Sequence, residues 1–336
     1  MFGVVFIEPT YIASKVVSST NVTMATSPIA SPSGLDLLPK DFLREPASDI
    51  ITSRVDFEQV NLPEYEGLYA VLLDDVLTPS ECQTLLHAAE GSATTTGNGW
   101  ERALVNVGGG AQMMIEDQRN CGRIIWDSCE VVAKVWQRIA DVPEVQEIVR
   151  LHNVPKIFGN GPTKRNEVWK FTRPNERMRF LKYEGGEYFR PHCDGSYETP
   201  GGEERSYFTL HVYLSDAEVV TTKELIPRFR KGQKSSKILV GGATTFHSYD
   251  MKRRYDVLPK AGRVLLFQHR DLIHSGDDVV RGVKYTMRTD LMYALEKDGG
   301  ASKSLNGRPT LSILEDEPDS DLEEGTDGVE EAMRYF

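Results

Sequence analysis

The sequence predicts an α+β protein with a double-sheet jelly-roll (double-stranded β-helix) core and supporting N-terminal helices. Three observations predict it. Five runs rich in β-branched and aromatic residues fall between Met178 and Leu295, the composition of strands. Gly and Pro separate them, as at Gly185-Gly186 and Pro259 to Gly262. Two stretches of helical spacing precede them, at Cys82–Ala89 and Val131–Ile139. Short strands at this spacing suit two antiparallel sheets folded over one another.

Residues 1 to about 50 are rich in Ser, Thr and Pro without a sustained period, and read as disordered or loosely packed. A β-like run, Leu68 to Leu73, opens the domain expected over residues 51–300. Thr78-Pro79-Ser80-Glu81 then reads as a helix start, with Thr as N-cap, Pro in the first turn and Glu closing a capping box. Cys82, Leu85, Leu86 and Ala89 continue it. A second amphipathic helix fits Asp127 to Ala140. The glycine-rich stretch from Gly97 to Gly110 lacks the Lys-Ser/Thr ending of a phosphate loop and reads as a connector. Arg119 and Arg123 read equally as solvated arginines or as part of a cover over a site.

The jelly-roll core, about 178–295, follows as strands at Arg179–Tyr183, Tyr207–Leu214, Gly242–Phe246, Arg263–Gln268 and Val283–Tyr293. Between Ser215 and Gly241 lies an insertion with six basic residues, read as a solvated loop with a basic lid as its rival. Residues 301–336 form an acidic tail, expected to be disordered.

Composition narrows the function. The chain has 336 residues, 40% of them hydrophobic and 26% charged, which fits a soluble globular protein. Its formal charge of −11 is uneven, because residues 315–331 hold ten acids and no base. The rest is near neutral, so nothing in the charge argues for nucleic acid. No apolar run approaches the roughly 18 residues of a membrane helix, and no signal peptide is recognised before Glu8 and Pro9. The four cysteines have neither a CxxC pair nor zinc spacing. Free thiols in a cytoplasmic or nuclear setting are expected. Met24 is an alternative start to Met1.

The chemistry sits in two short runs. His192 and Asp194 are two apart, so on a strand they share a face. His274, from a later strand, completes a triangle. Two imidazoles and one carboxylate on one face of a metal leave the other positions open, as in non-haem Fe(II) oxygenases. Lys284 and Arg288 are four apart on another expected strand and also share a face. Either cation could hold the far carboxylate of a diacid bound to the metal: Lys284 stands ten residues after His274, and Arg288 offers the better bidentate fork. His211 and His247 are alternative ligands in principle, and His269 reads as structural or surface.

Tyr183 to Asp194 resembles the Tyr-x-x-Gly-Gly-x-Tyr-x-x-His-x-Asp run of prolyl 4-hydroxylases. Gly241 to Phe246 resembles their Gly-Gly-x-Thr-x-Phe. His274 with Gly282-x-Lys284 resembles their distal His and Gly-x-Lys or Gly-x-Arg. The resemblance is to the Fe(II)/2-oxoglutarate-dependent dioxygenases, prolyl 4-hydroxylase-like branch, over roughly residues 68–294. It implies Fe(II), 2-oxoglutarate and O2 as cofactors and co-substrates, with ascorbate as a candidate reductant. It implies His192, Asp194 and His274 as catalytic metal ligands and Lys284 as the clamp on 2-oxoglutarate, helped by Tyr183 and Tyr213. The implied reaction oxidises, most simply hydroxylates, a substrate C–H bond and releases succinate and CO2. A peptide and a small molecule both stand as substrates. A non-catalytic metal- or 2-oxoglutarate-binding sensor or scaffold is the reading from another class.

Overall fold

The computed structural model describes residues 34–44, 49–96, 99–106, 112–218 and 238–296. Contacts divide the chain into two units, residues 1–32 and 33–336, and every described residue belongs to the second. The acidic tail and most of the basic insertion lie outside the described residues.

The labelled strands are β1 (Ile51–Arg54), β2 (Ala70–Asp74), β3 (Gly122–Asp127), β4 (Val168–Pro174), β5 (Arg177–Tyr183), β6 (Tyr188–His192), β7 (Glu204–Tyr213), β8 (Thr244–His247), β9 (Arg254–Val257), β10 (Val264–Gln268), β11 (His274–Gly276) and β12 (Lys284–Leu295). The major sheet runs β1-β2-β10-β7-β12-β5-β3 and ends on Glu101–Arg102. β4 adds to the far half of β12, and Arg150–His152 adds to β4. The minor sheet runs β9-β8-β11-β6 and ends on Arg119–Asn120. All these ladders are antiparallel. Two facing sheets of this kind are the expected jelly roll.

The two helices behave as their sequences dictate. α1 (Pro79–Thr96) opens with a reciprocal capping box: Glu81 N–H donates to Thr78 Oγ1 at 3.2 Å, and Thr78 N–H donates to Glu81 Oε2 at 2.8 Å. α2 (Cys129–Gln137) is capped by Ser128, whose Oγ accepts from Val131 N–H at 3.3 Å. Cys82, Leu85 and Ala89 of α1 and Val131, Val132 and Val135 of α2 are buried with one face of the major sheet.

Strand alternation separates two interiors. Phe208, Leu210 and Val212 of β7 and Met287, Leu291 and Tyr293 of β12 join the helices in one core. Leu72, Tyr213, Leu265 and Phe267 join a second apolar cluster, with Phe246 from the minor sheet. The polar residues between the sheets begin where that cluster ends.

The start of the chain departs from expectation in one respect. Within the stretch read as loosely packed to residue 50, Leu38, Phe42 and Leu43 are buried in the helix-side core. They are too few to show a period, yet each covers apolar surface left by the helices. The glycine-rich connector also contributes structure. Glu101–Arg102 edges the major sheet, and Val105–Asn106 pairs with Gln112–Met113. Among the described residues no helix is long and apolar enough to cross a membrane, and the four cysteines are free.

Candidate metal centre and 2-oxoglutarate site

The minor sheet brings the first three site residues together. His192 and His274 are directly opposite on β6 and β11. The register shifts between Phe189 and His192, a bulge that turns the end of β6 toward its neighbour. Asp194 lies two residues past the strand end, so its aim comes from side-chain partners and not from strand period. Thr209 Oγ1 donates to Asp194 Oδ2 at 2.6 Å, and Arg288 Nη1 pairs with Oδ1 at 2.9 Å.

One ligand atom from each of His192, Asp194 and His274 lies within 4.8 Å of the others. His192 Nδ1 is 2.8 Å from Arg190 O, and His274 Nδ1 is 3.1 Å from Leu272 O. A carbonyl can only accept, so each Nδ1 carries a proton, which leaves Nε2 as the atom free to ligate. Those Nε2 atoms face Asp194, at 3.5 Å from His192 and 3.7 Å from His274. Burial pushes His274 down to about 3, so it is neutral near pH 7. Burial alone would raise the Asp194 carboxyl, but Arg288 and the two imidazoles outweigh it and hold the group well below the usual carboxylate range. Two imidazole Nε2 atoms and a carboxylate oxygen converge on one point. A divalent cation is what fits there.

A small, partly open cavity adjoins the three residues and is lined by Tyr183, His211, Thr244, Lys284 and Arg288 among others. Lys284 is 2% exposed and makes no hydrogen bond or ion pair among the described residues. Its Nζ lies 5.2 Å from the Tyr183 ring centre and 5.9 Å from that of Tyr213. Burial takes its pKa down to about 8. Arg288 shares its face as expected, but is already engaged: besides Asp194 it reaches Asp290 Oδ1 at 3.4 Å. Asp290 is in turn held by Arg179 at 3.0 Å. The two cations therefore differ in availability.

Tyr183 lines the cavity, whereas Tyr213 does not. Tyr213 packs in the apolar cluster, and its hydroxyl approaches Thr244 without a hydrogen bond of ordinary geometry. His211 lines the cavity with Nε2 buried and unpartnered, outside the metal cluster. His247 is tied to Ser275 Oγ at 2.7 Å. His269 is not at the surface but buried, 3.8 Å from Asp290. Arg119 and Arg123 are each 8% exposed, which removes the reading of two solvated arginines. Phe189 was without any sequence signal; its ring stacks on His192 with centroids 3.6 Å apart. Gly242, from the Gly-Gly-x-Thr-x-Phe run, has φ +71 and lies against the Lys284 stem, where a Cβ would meet Cδ at 3.2 Å.

Residues 178–289 match the 2OG-Fe(II) oxygenase superfamily model, a span that holds all three clustered residues and Lys284. The barrel is that of a 2OG-Fe(II) oxygenase. The enzyme class is accordingly the Fe(II)/2-oxoglutarate-dependent dioxygenases, with Fe(II), 2-oxoglutarate and O2 as cofactor and co-substrates. Similar solved structures include a viral collagen prolyl hydroxylase from Paramecium Bursaria Chlorella virus-1, at 18% identity and TM-score 0.39, covering 68% of this chain and 97% of that one. A Pseudomonas putida prolyl-4-hydroxylase is 14% identical with TM-score 0.41, covering 70% and 98%. A Trichoplax adhaerens prolyl hydroxylase, solved with a hypoxia inducible factor peptide, is 14% identical with TM-score 0.40, covering 69% and 86%. No curated protein matches the chain.

Proposed function

We propose that this oxygenase hydroxylates a C–H bond of a polypeptide, with His192, Asp194 and His274 as the iron ligands and Lys284 as the clamp on 2-oxoglutarate. The observation that carries the reading is the pair of imidazoles whose Nε2 atoms face the Asp194 carboxylate across 3.5 and 3.7 Å, with each Nδ1 held by a backbone carbonyl. Bound Fe(II) with 2-oxoglutarate and O2 supplies the oxidising equivalent, with succinate and CO2 as co-products.

The chain's own residues do the rest. Arg190 O and Leu272 O hold the two imidazoles in the ligating tautomer. Thr209 and Arg288 fix the carboxylate plane of Asp194. Lys284 offers a buried, unpaired ammonium to the distal carboxylate, beside Tyr183. Phe189 on one side and Phe267 on the other, 4.7 Å from the His274 ring, keep water from the ligands.

Succinate formation from 2-oxoglutarate tests the reading. The purified chain with Fe(II) should produce succinate, slowly alone and faster with peptide mixtures. Tight 2-oxoglutarate binding with no succinate under any condition would favour the sensor.

A further inference from the structure

The wall beside the cavity is cationic beyond what the iron chemistry uses. On the inward face of the major sheet, Arg179 stands opposite both Arg288 and Ile125, and Arg123 stands opposite Leu181. Arg119 enters from the edge of the minor sheet, 4.4 Å over the Phe189 ring, and lines the cavity. Its Nε is buried without a partner, and its Nη1 reaches only Leu104 O at 3.4 Å. Arg123 reaches only Gln112 Oε1, also at 3.4 Å. Neither forms an ion pair among the described residues, although Glu101 stands opposite Arg123 across the sheet edge.

The charges do not balance. Arg119, Arg123, Arg179, Lys284 and Arg288 face Asp194 and Asp290, with the exposed Glu101 opposite Arg123 in the register as a third acid. Asp277 is taken by Arg254 and Ser275. Bound Fe(II) and the 2-oxoglutarate dianion cancel, so the excess persists in the loaded site. Buried guanidinium groups without counter-charge are costly. Burial, then Arg119 and Arg179, also push Arg123 below its ordinary value. An anionic group on the substrate would relieve this strain, and a guanidinium fork receives a carboxylate in two parallel hydrogen bonds.

The size of the partner follows from the surface next to these arginines. Ile125, 42% exposed, shares the face of Arg123 on β3 and stands opposite Arg179. Met113 and Met114, 57% and 49% exposed, follow Gln112 on the hairpin that touches Arg123. An apolar strip edged by arginines extends past the cavity. A small ligand would leave it bare, and an extended chain would cover it.

We propose that the substrate is a polypeptide segment with an acidic side chain close to the residue oxidised, its carboxylate received by Arg119 and Arg123 and an apolar neighbour lying on Ile125. The proposal rests on the hydroxylase reading above and narrows its substrate.

Binding tests it without turnover. The full chain is loaded with Mn(II) and 2-oxoglutarate, and fluorescence anisotropy follows a labelled decapeptide of alternating Glu and Leu and its Gln-Leu counterpart. The Glu peptide should bind about tenfold tighter or more, the scale of a charge-assisted contact. Arg123→Gln and Arg119→Gln should each remove most of that ratio. Arg123→Lys, milder for folding, should keep part of it, since the charge stays and the fork is lost. Arg54→Gln, far from the site, should change nothing. Equal binding of the two peptides, or a ratio unmoved in both glutamine variants, overturns the proposal. So does N-acetylglutamate amide competing as well as the whole peptide, which would mean a small acid. Titrating 2-oxoglutarate in the same samples separates the two readings. If it fails to bind, the hydroxylase reading falls; if it binds and the peptides are not distinguished, only the acidic-substrate reading falls.

Discussion

The two faces of the major sheet are equally buried and differently built. On the helix side, Phe208, Leu210, Val212, Met287 and Leu291 are all 0% exposed and carry no polar side-chain atom, and the Tyr293 hydroxyl is the exception, buried without a partner among the described residues. On the barrel side of the same strands, Thr209, Tyr213, Lys284 and Thr286 are 2% exposed or less. Yet the hydroxyls of Tyr213 and Thr286 have no hydrogen-bond partner, and neither does His211 Nε2. Buried polar groups without partners are costly, roughly 1–3 kcal/mol each. The helix face is packed mostly with apolar side chains, whereas the barrel face carries the polar and charged groups of the site. Strand alternation lets one backbone serve both.

If that division is right, substitutions on the two faces should move different observables. The largest effect belongs to the ligands. His274→Ala should abolish both Mn(II) binding in calorimetry and succinate formation, because two remaining ligands hold the ion poorly. Retained metal affinity would place the centre elsewhere. On the opposite face, Leu291→Ala should cost about 2–5 kcal/mol in denaturant unfolding. The 2-oxoglutarate affinity of the fraction still folded should not change. A shift in that affinity would mean that the faces are coupled.

Lys284→Ala should do the reverse. The loss of a charge-assisted contact should weaken 2-oxoglutarate by about ten- to a hundredfold. Stability should hold or rise, since an unpaired buried charge is removed. Arg288→Ala should weaken 2-oxoglutarate less, because that guanidinium is already committed to Asp194 and Asp290. If the two variants exchange these outcomes, Arg288 is the clamp.

The gentlest probe is pH. Burial lowers Lys284 from its ordinary 10.5 to about 8. Below 8 the group is charged in both folded and unfolded chains, so folding carries the desolvation cost. Between 8 and 10.5 the unfolded chain binds a proton that the folded chain does not, so this group's contribution to stability rises with pH. Affinity for 2-oxoglutarate should run the other way, falling by up to about tenfold per pH unit above that point as the clamp loses its charge. Lys284→Met should flatten both slopes, read by thermal unfolding and by ligand titration.

Much of this was legible before any coordinates. The capping box at Thr78 and the strand alternation at Lys284 and Arg288 depend on residues a few positions apart, and local chemistry decides them. The His192 and Asp194 pair was legible as a motif, although for a reason only partly right. Asp194 lies beyond the strand and is aimed by Thr209 and Arg288, contacts that no local spacing encodes. The strand carrying His192 escaped the list of strands because Pro191 interrupts its pattern. Arg119 and Arg123 could be read either way because their burial depends on Phe189, Leu181, Leu104 and Gln112, contacts set by the fold and not by local spacing. The engagement of Arg288, which separates the two cations, spans 94 residues of chain.

Gly242 links the motif to the length of the clamp. Its backbone is left-handed, and its missing side chain is the space through which the Lys284 stem passes. A methyl group there would press on Cδ, so the glycine works as a gauge that admits one slender aliphatic chain. Lysine and arginine share that stem as far as Cδ, so the glycine fixes the path of the clamp and leaves the choice of head group to the cavity beyond it.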